Sequence, residues 1–239
     1  MSELNCHSLK EVSVIIMAGG KGARLLPYTK ILPKPLIPIG EVPIIERIIN
    51  SMTAYEISEF WVTLNYKKEM IKSYFDDLKP SYSIKYVEEK KPLGTAGSLR
   101  LIKKEFDQPV IVTNCDILVK ADYSQIYNHH KASGNKLTIV SVLKKMTIPY
   151  GVLNTDADGI LKSLDEKPMQ AFLVNTGMYV IEPEMFKLIP VNTFFHMTEL
   201  VELMLAKGYQ IGTYSVAEEA FLDMGELEAM KRMEKQIFK

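Results

Sequence analysis

Short apolar runs and amphipathic helical segments alternate along the first part of this chain. The run that starts at Val14 predicts a buried strand, and the segments 60–64 and 83–87 predict two more. Between them, the segments 43–55 and 68–78 carry apolar residues at helical spacing. Strands separated by helices pair in parallel, because each crossover returns the chain to the same edge of the sheet. The alternation therefore predicts an α/β fold with helices covering both faces of the sheet.

After residue 143 the regular alternation of strands and helices gives way to β runs broken by turns. The elements predicted from residue 109 onward are strands at 109–116 and 137–143, a helix at 123–132 capped by Asp122, β runs at 150–153, 159–168 and 172–181, a helix at 198–207, a strand at 210–216 and a closing helix at 226–237. Because turns break the β runs after residue 143, the sheet should become partly antiparallel there. One domain of 239 residues is the simplest arrangement.

Charge and cysteine usage exclude several classes of partner. The 29 basic residues equal the 29 acidic ones, so no bulk field attracts nucleic acid or an anionic membrane. No apolar run approaches the length that spans a bilayer. Cys6 and Cys115 lie far apart, which favours a reduced, cytoplasmic protein. His129 and His130 lack a second ligand at metal-binding spacing, so we expect both on the surface of their helix.

The loop after the first strand combines three residue types that suit a bound polyanion. Glycines let the backbone adopt positive φ and approach a ligand, basic side chains bind phosphate, and prolines hold the segment rigid. These residues are Gly19, Gly20, Gly22, Lys21, Arg24, Lys30, Lys34, Pro27, Pro33, Pro35 and Pro38. The loop therefore predicts a triphosphate site, and a plain connecting turn with solvated lysines is the alternative. Its glycine spacing fits neither the dinucleotide fingerprint nor the P-loop.

A resemblance to a known family rests on this loop and on a second one. Gly-Gly-Lys-Gly-Ala-Arg-Leu-Leu-Pro-Tyr-Thr from Gly19 and Lys-Pro-Leu-Ile-Pro from Lys34 closely resemble the signature of the sugar-phosphate nucleotidylyltransferases. Pro-Leu-Gly-Thr-Ala-Gly from Pro92 is similar to the base-contacting loop of family members that use GTP, such as mannose-1-phosphate guanylyltransferases. Ala23 stands where the family usually has Ser or Thr, and Cys115 replaces a glycine.

The resemblance implies a Rossmann-like, GT-A-like fold, with an open, mixed and mostly parallel sheet flanked by helices. It implies an N-terminal extension at 1–10, a nucleotide-binding half at about 11–143 and a sugar-phosphate-binding half at about 144–239. The reaction implied is transfer of a nucleotidyl group from a nucleoside triphosphate to a sugar 1-phosphate, with Mg²⁺ as cofactor. Neither nucleic acid nor a membrane is an expected partner, and a homo-oligomer stays open.

The family motifs also imply a role for individual residues of this chain. The implied catalytic residues are Arg24, Lys34, Asp116, Lys167 and Asp223, and the implied metal ligands are Asp116 and Asp223. Nucleotide contacts fall to Ala18, Gly19, Gly20, Lys21, Gly22, Pro92, Gly94, Thr95 and Ala96. Sugar-phosphate contacts fall to Gly151, Glu166, Lys167, Asn175 and Thr176. Without the resemblance, Asp116 could merely cap a turn, and Glu166 and Lys167 could be a solvated turn.

Two other functions stay open at this point. A non-catalytic module that senses nucleotides or nucleotide sugars would keep the pocket and lose the chemistry. A cytidylyltransferase would use another triphosphate and another acceptor phosphate. The motifs fix neither the base, among GTP, CTP, UTP and dTTP, nor the sugar, among hexose, hexosamine and heptose.

Overall fold

The computed structural model describes residues 8–225 and Ile237. Its strands are β1 Ser13–Ala18, β2 Pro38–Ile39, β3 Val42–Pro43, β4 Glu59–Leu64, β5 Ser83–Glu88, β6 Val110–Asn114, β7 Ile117–Val119, β8 Leu137–Thr147, β9 Gly151–Thr155, β10 Leu161–Glu166, β11 Met169–Ile181, β12 Ile211–Val216 and β13 Phe221–Asp223. Its α-helices are α1 Tyr28–Ile31, α2 Ile44–Thr53, α3 Lys68–Leu78, α4 Tyr123–Ser133 and α5 Met197–Ala206. Apart from Ile237, the closing helix predicted at 226–237 lies outside the described residues.

Within the described residues, the main sheet has seven strands in the order β12-β8-β11-β6-β1-β4-β5. β1 pairs in parallel with β4 and β6, and β4 pairs in parallel with β5. β11 runs antiparallel to both β6 and β8. The mixed, mostly parallel sheet that the sequence predicts is therefore confirmed. Three two-stranded ladders, β2–β3, β7–β13 and β9–β10, complete the described β structure.

Helices cover both faces of this sheet, as predicted. Along β1, Val14 and Ile16 belong to the core that α2, α3 and α4 cover, whereas Ile15 and Met17 belong to the core beneath α5. Successive strand residues point to opposite faces, so one buried strand supplies both cores. Burying both faces leaves the edge at the carboxyl ends of the parallel strands as the place for function. No helix within residues 8–225 is both long and apolar enough to cross a bilayer.

Local signals set the ends of α4 as the sequence predicts. The Asp122 carboxylate accepts hydrogen bonds from the backbone N–H groups of Ser124 at 2.9 Å and Gln125 at 3.2 Å. Gly134 ends the helix with φ 66°, a left-handed conformation that glycine adopts without steric cost. Asp122 is thus confirmed as a cap.

The small residues that follow Pro92 and Gly94 also predict a helix that begins near Thr95, but no α-helix forms there. A single 3-10 turn forms instead, at Gly97–Leu101. The N–H groups of Ala96 and Gly97 both donate to the carbonyl oxygen of Phe195, at 2.9 and 3.0 Å, so a neighbouring segment holds the backbone here. These contacts were invisible in the sequence because they join residues about a hundred positions apart.

The surface position expected for His130 is also wrong, although His129 is exposed as predicted. The His130 ring has no exposed area and lies on the face of α4 that packs against β8, where its Nδ1 is 2.8 Å from Thr138 Oγ1. Burial, with smaller contributions from His129 and Lys136, lowers the pKa of His130 to about 4. The Glu182 carboxylate lies 3.7 Å from Nε2.

This lowered pKa makes the stability of the fold depend on pH. Since unfolded His130 takes up its proton near pH 6.5 and folded His130 near pH 4, its contribution is present above pH 6.5 and is lost as pH falls. We expect a loss of about 3 kcal/mol between pH 7 and pH 4. Urea unfolding across this range should show that His130→Gln flattens the pH dependence, while the matched His129→Gln, which removes only a smaller contribution, keeps most of it. If the free energy of unfolding depended on pH in the same way in the two variants, His130 would not be the source of this pH dependence.

Candidate active site

The carboxyl ends of β1, β5 and β6 bring three segments of the sequence to one edge of the sheet. β1 ends at Ala18 and opens into the glycine-rich loop, β5 ends at Glu88 and opens into the Pro92 loop, and β6 ends at Asn114, two residues before Asp116. Because these strands are parallel, the loops leave on the same side.

The glycine-rich loop folds back on itself. Gly22 has φ 65°, and Thr29 Oγ1 donates a hydrogen bond to the Gly22 carbonyl at 3.1 Å. A Cβ atom at Gly22 would lie 2.9 Å from the Thr29 methyl carbon and 3.1 Å from Lys34 Cβ, so only glycine fits. The fold of the loop therefore places Gly22 directly against Lys34.

The loop also presents three exposed cations. Lys21, Arg24 and Lys30 are exposed, and none of them forms an ion pair with an acid in the part of the chain that the structure describes. Several cations without counter-ions, next to a backbone with glycines at three positions, favour a bound anion with several charges.

Two aspartates from distant parts of the sequence lie side by side near this loop. Asp223 is the last residue of β13 and pairs with Ile117 of β7, and the N–H of Met224 donates to the Asp116 carbonyl at 2.9 Å. Asp116 is 8% exposed, whereas Asp223 is exposed. The Asp223 carboxylate accepts a hydrogen bond from the N–H of Gly225 at 2.6 Å, which orients it. The short β7–β13 ladder is therefore what joins the two acids.

Lys34 connects the loop to this acid pair. Its Nζ forms an ion pair with Asp116 Oδ2, and only 12% of the Lys34 side chain and 11% of the Asp116 side chain are exposed. The lysine lies between two prolines, Pro33 and Pro35, and begins a 3-10 turn at Lys34–Leu36. Three of the predicted catalytic residues, Lys34, Asp116 and Asp223, thus come together in the structure.

Glu89 lies between two of the predicted nucleotide-binding segments, although the sequence did not single it out. It is 7% exposed, and no Lys, Arg or His among the described residues forms an ion pair with it. Its Oε2 accepts a hydrogen bond from the N–H of Leu93 at 3.0 Å, and a Cβ atom at Gly19 would overlap its Oε1. Burial raises the pKa of Glu89. Its place directly after β5, at the carboxyl edge, was the available signal.

The Pro92 loop is held by the segment that leads into α5. Thr95 Oγ1 accepts a hydrogen bond from the N–H of Met197 at 2.9 Å, and Ala96 is fully buried. Gly94 has φ 77°, and a Cβ atom there would lie 2.6 Å from the carbonyl oxygen of Phe195. Thr95 and Ala96 therefore fix the shape of the loop, and Gly94 lets two backbones approach closely.

Replacing Gly94 by Ala should destabilise the protein more than the same change at Gly134. Both glycines have positive φ, but nothing lies within 4 Å of a Cβ atom at Gly134. Gly134→Ala should cost about 1 kcal/mol for backbone strain alone, and Gly94→Ala roughly 2–4 kcal/mol because the Phe195 backbone must also move. Urea unfolding measures both, and equal losses would contradict the close approach at Gly94.

The predicted acceptor residues form a separate group. Gly151 of β9 pairs with Glu166 of β10, and Lys167 follows with its Nζ 4.0 Å from Glu166 Oε1. The Glu166 and Lys167 side chains are each 65% exposed. Within residues 8–225, neither forms an ion pair with Asp116, Asp223 or the glycine-rich loop. The structure thus brings these three residues together but does not join them to the acid pair.

Asn175 and Thr176 lie on β11, where its pairing with β8 is irregular. The Asn175 side chain donates to Tyr179 Oη at 2.8 Å and accepts from the N–H of Gly177 at 2.8 Å. Thr176 is 3% exposed and donates to the Val140 carbonyl at 2.7 Å. A Cβ atom at Gly177 would overlap the Asn114 side chain, so this irregular segment lies beside the carboxyl end of β6.

Comparisons with known proteins identify similar sequences. A family model described as nucleotidyl transferase matches residues 13–239. The mannose-1-phosphate guanyltransferases of Debaryomyces hansenii and Candida albicans are each 33% identical over 184 residues, covering 73% of this chain and 51% of each relative. The chain therefore spans about half the length of the curated relatives it matches.

Solved structures share the fold. The crystal structure of HddC from Yersinia pseudotuberculosis has a TM-score of 0.74 and 24% identity, covering 95% of this chain and 100% of that chain. The crystal structure of the same protein complexed with GMP-PN has a TM-score of 0.70, 23% identity and the same coverage. The predicted fold and family resemblance are both confirmed, and this chain belongs to the nucleotidyl transferase family.

Proposed function

We propose that this chain transfers a guanylyl group from GTP to a sugar 1-phosphate, forming a nucleotide sugar and pyrophosphate. The observation that carries the proposal is the cluster of Lys34, Asp116 and Asp223 beside three further loop cations that form no ion pair with an acid among the described residues. Such a cluster offers both signs of charge to a triphosphate, because its phosphates need cations and a phosphate-bound metal needs carboxylates.

The reaction must bring two anions together at one phosphorus. A phosphate oxygen of the sugar 1-phosphate attacks the α-phosphorus, the new P–O bond forms, and the bond to the β-phosphate oxygen breaks as pyrophosphate leaves. Arg24 holds the leaving pyrophosphate, Lys34 holds the phosphates near the α position, and Lys167 holds the incoming sugar phosphate. Fixed cations lower the barrier because they stabilise negative charge that spreads over the transferring phosphate. The nucleophile is already an anion near neutral pH, so the reaction requires no general base.

Asp116 and Asp223 would hold Mg²⁺ in this scheme. Carboxylate oxygens are the hard ligands that Mg²⁺ prefers, and the ion commonly uses one or two of them together with substrate phosphates. The described residues contain no group of three or more His, Cys, Asp or Glu that could hold a metal by themselves, so the scheme takes the remaining ligands from the substrate. When bound, Mg²⁺ supplies neutralisation of charge on the α-phosphate.

The buried carboxylate of Glu89 supports guanine as the base. Guanine carries adjacent N1–H and N2–H donors, and a carboxylate without a cation partner can accept from both. Glu89 contacts the start of the glycine-rich loop and the Pro92 loop, so it lies between two of the proposed nucleotide contacts. The relatives named mannose-1-phosphate guanyltransferase and the HddC complex with GMP-PN also support guanine.

The acceptor half of the proposal rests on the β9–β10 hairpin. Lys167 would bind the phosphate of the sugar 1-phosphate, and Glu166 would accept hydrogen bonds from sugar hydroxyls, with Gly151 leaving room beside it. A Cβ atom at Gly151 would lie only 3.0 Å from Glu166 Oε2, so a side chain there would press on the carboxylate. We extend the proposal to the two halves at about 11–143 and 144–239 and to a cytoplasmic location, while a homo-oligomer stays a prediction.

A grid of triphosphates against sugar phosphates tests the proposed function. GTP, CTP, UTP and dTTP are each mixed with a hexose, a hexosamine or a heptose 1-phosphate and Mg²⁺, and pyrophosphate release is measured. We expect release to be fastest with GTP. Binding of GTP without release from any pair would indicate a sensing module, and fastest release with CTP would indicate a cytidylyltransferase.

A further inference from the structure

We propose that Lys34 acts as the resident counter-ion of Asp116, so that the acid pair takes a divalent metal together with the triphosphate and not before it. The proposal rests on the function proposed above and assigns Lys34 a role before catalysis. Its basis is the ion pair between Lys34 Nζ and Asp116 Oδ2. In this pair the ammonium group occupies a carboxylate oxygen that the metal ion would use as a ligand.

The poor exposure of this pair sets the cost of separating it. Only 12% of the Lys34 side chain and 11% of the Asp116 side chain are exposed, so water cannot fully solvate either charge after separation. A metal ion that arrives alone must detach the ammonium group and leave it without an anion in this enclosed position. Removing one partner from a poorly solvated ion pair is costly, because the other charge stays uncompensated.

A triphosphate removes this cost by offering Lys34 new anionic partners. The lysine lies close to the proposed phosphate site, because Gly22 of the phosphate loop packs against it. A Cβ atom at Gly22 would lie 3.1 Å from Lys34 Cβ. The backbone of Lys34 is also fixed, because Ile37 N–H donates to its carbonyl at 3.2 Å and prolines flank it. Only the side chain has to swing from Asp116 to a phosphate, which frees one carboxylate oxygen for the metal.

Asp223 differs from Asp116 in its exposure and in its ion pairing. The Asp223 carboxylate is exposed and forms no ion pair within the described residues. One of its two oxygens accepts a hydrogen bond from Gly225 N–H, which orients the group. One acid of the pair is thus permanently available, and the other becomes available when Lys34 leaves. Two ligands that act together bind a divalent ion much more tightly than one, so metal affinity should be coupled to nucleotide binding.

Direct measurement of Mn²⁺ binding without nucleotide tests this inference independently of activity. Free Mn²⁺ is followed by electron paramagnetic resonance while it is titrated into the wild-type protein and the variants Lys34→Gln and Lys34→Met. We expect both variants to bind Mn²⁺ at least tenfold more tightly than wild type. Lys34→Gln keeps a hydrogen-bond donor for Asp116 and therefore guards against loss of folding, which circular dichroism checks.

Two further variants show where the ion binds. Lys30→Met removes an exposed cation of the same loop and should bind Mn²⁺ as wild type does. Adding Asp116→Asn to Lys34→Gln should abolish the gain in affinity. Tight Mn²⁺ binding by wild type in the absence of nucleotide, or no gain in either Lys34 variant, would overturn the counter-ion role.

A complex of the wild-type protein with Mn²⁺ and a non-hydrolysable GTP analogue separates this inference from the proposed function. If Asp116→Asn changes the spectrum of the protein-bound complex while the Lys34 variants gain no affinity for free Mn²⁺, the metal role of Asp116 stands and the counter-ion role fails. If Asp116→Asn leaves that spectrum unchanged, the proposed metal site itself fails.

Discussion

Replacing Asp116 or Asp223 by Asn should abolish most turnover while the fold stays intact. Each change removes one negative oxygen ligand and keeps the size and hydrogen-bonding shape of the side chain. We expect kcat for pyrophosphate release to fall about 1,000-fold in each variant, the ~4 kcal/mol typical of losing one group that stabilises transition-state charge. Circular dichroism should show that both variants fold. Urea unfolding should show little loss for Asp223→Asn, since its amide oxygen can still accept the hydrogen bond from Gly225 N–H. It should show a larger loss for Asp116→Asn, which leaves the Lys34 ammonium group without its anion.

The matched control for this prediction is Asp122→Asn. Asp122 lies six positions from Asp116, but its carboxylate caps α4 and accepts from Ser124 and Gln125 N–H groups. Asn is about as good an N-cap as Asp, so both stability and kcat should stay near wild type. If both Asp116→Asn and Asp223→Asn kept nearly normal Mg²⁺-dependent rates, the two aspartates would not be the ligands of the catalytic metal.

Replacing Glu89 by Gln should change which base the protein accepts. The carboxylate of Glu89 offers two acceptors to the N1–H and N2–H groups of guanine, whereas an amide offers one acceptor and one donor. We expect kcat/KM for GTP to fall by roughly 100- to 1,000-fold, because the mismatch leaves two donors facing each other in a buried place. Xanthosine triphosphate presents N1–H beside a carbonyl and should therefore become the better substrate of the variant.

The neighbouring residue supplies the control. Glu88 is more exposed and forms ion pairs with Lys68 and Lys72 of α3, the latter at 2.5 Å. Glu88→Gln should leave the preference for GTP over xanthosine triphosphate unchanged, within about twofold, because an exposed ion pair contributes little. An unchanged preference in Glu89→Gln, with the GTP rate intact, would show that this carboxylate does not contact the base.

Much of the fold followed from local patterns. The periodicity of 43–55 predicted α2, the alternation of strands and helices predicted the parallel sheet, and Asp122 predicted the start of α4. Such features are set by residues a few positions apart, so a sequence displays them directly. The strand that delivers Asp116 to the carboxyl edge belongs to the same class.

The features that escaped prediction all depend on distant contacts. His130 is buried because α4 turns that face towards β8, and the Phe195 carbonyl holds the backbone after the Pro92 loop, where only a 3-10 helix forms. In the sequence, Glu89 resembles an ordinary solvated acid. Its contact with Gly19 appears only in the folded structure. The ion pair of Lys34 with Asp116 likewise joins residues whose separation carries no local signal. Tertiary contacts decided these cases against reasonable local expectations.

The ladder between β7 and β13 has a consequence for how this protein is made. Asp116 lies near the middle of the described chain, while Asp223 reaches it only when β13 adds to β7. During synthesis, the phosphate loop and Asp116 leave the ribosome long before residue 223 does. Under the proposed function, the two acids would therefore meet, and catalytic competence would arrive, in one late step with the last described strand.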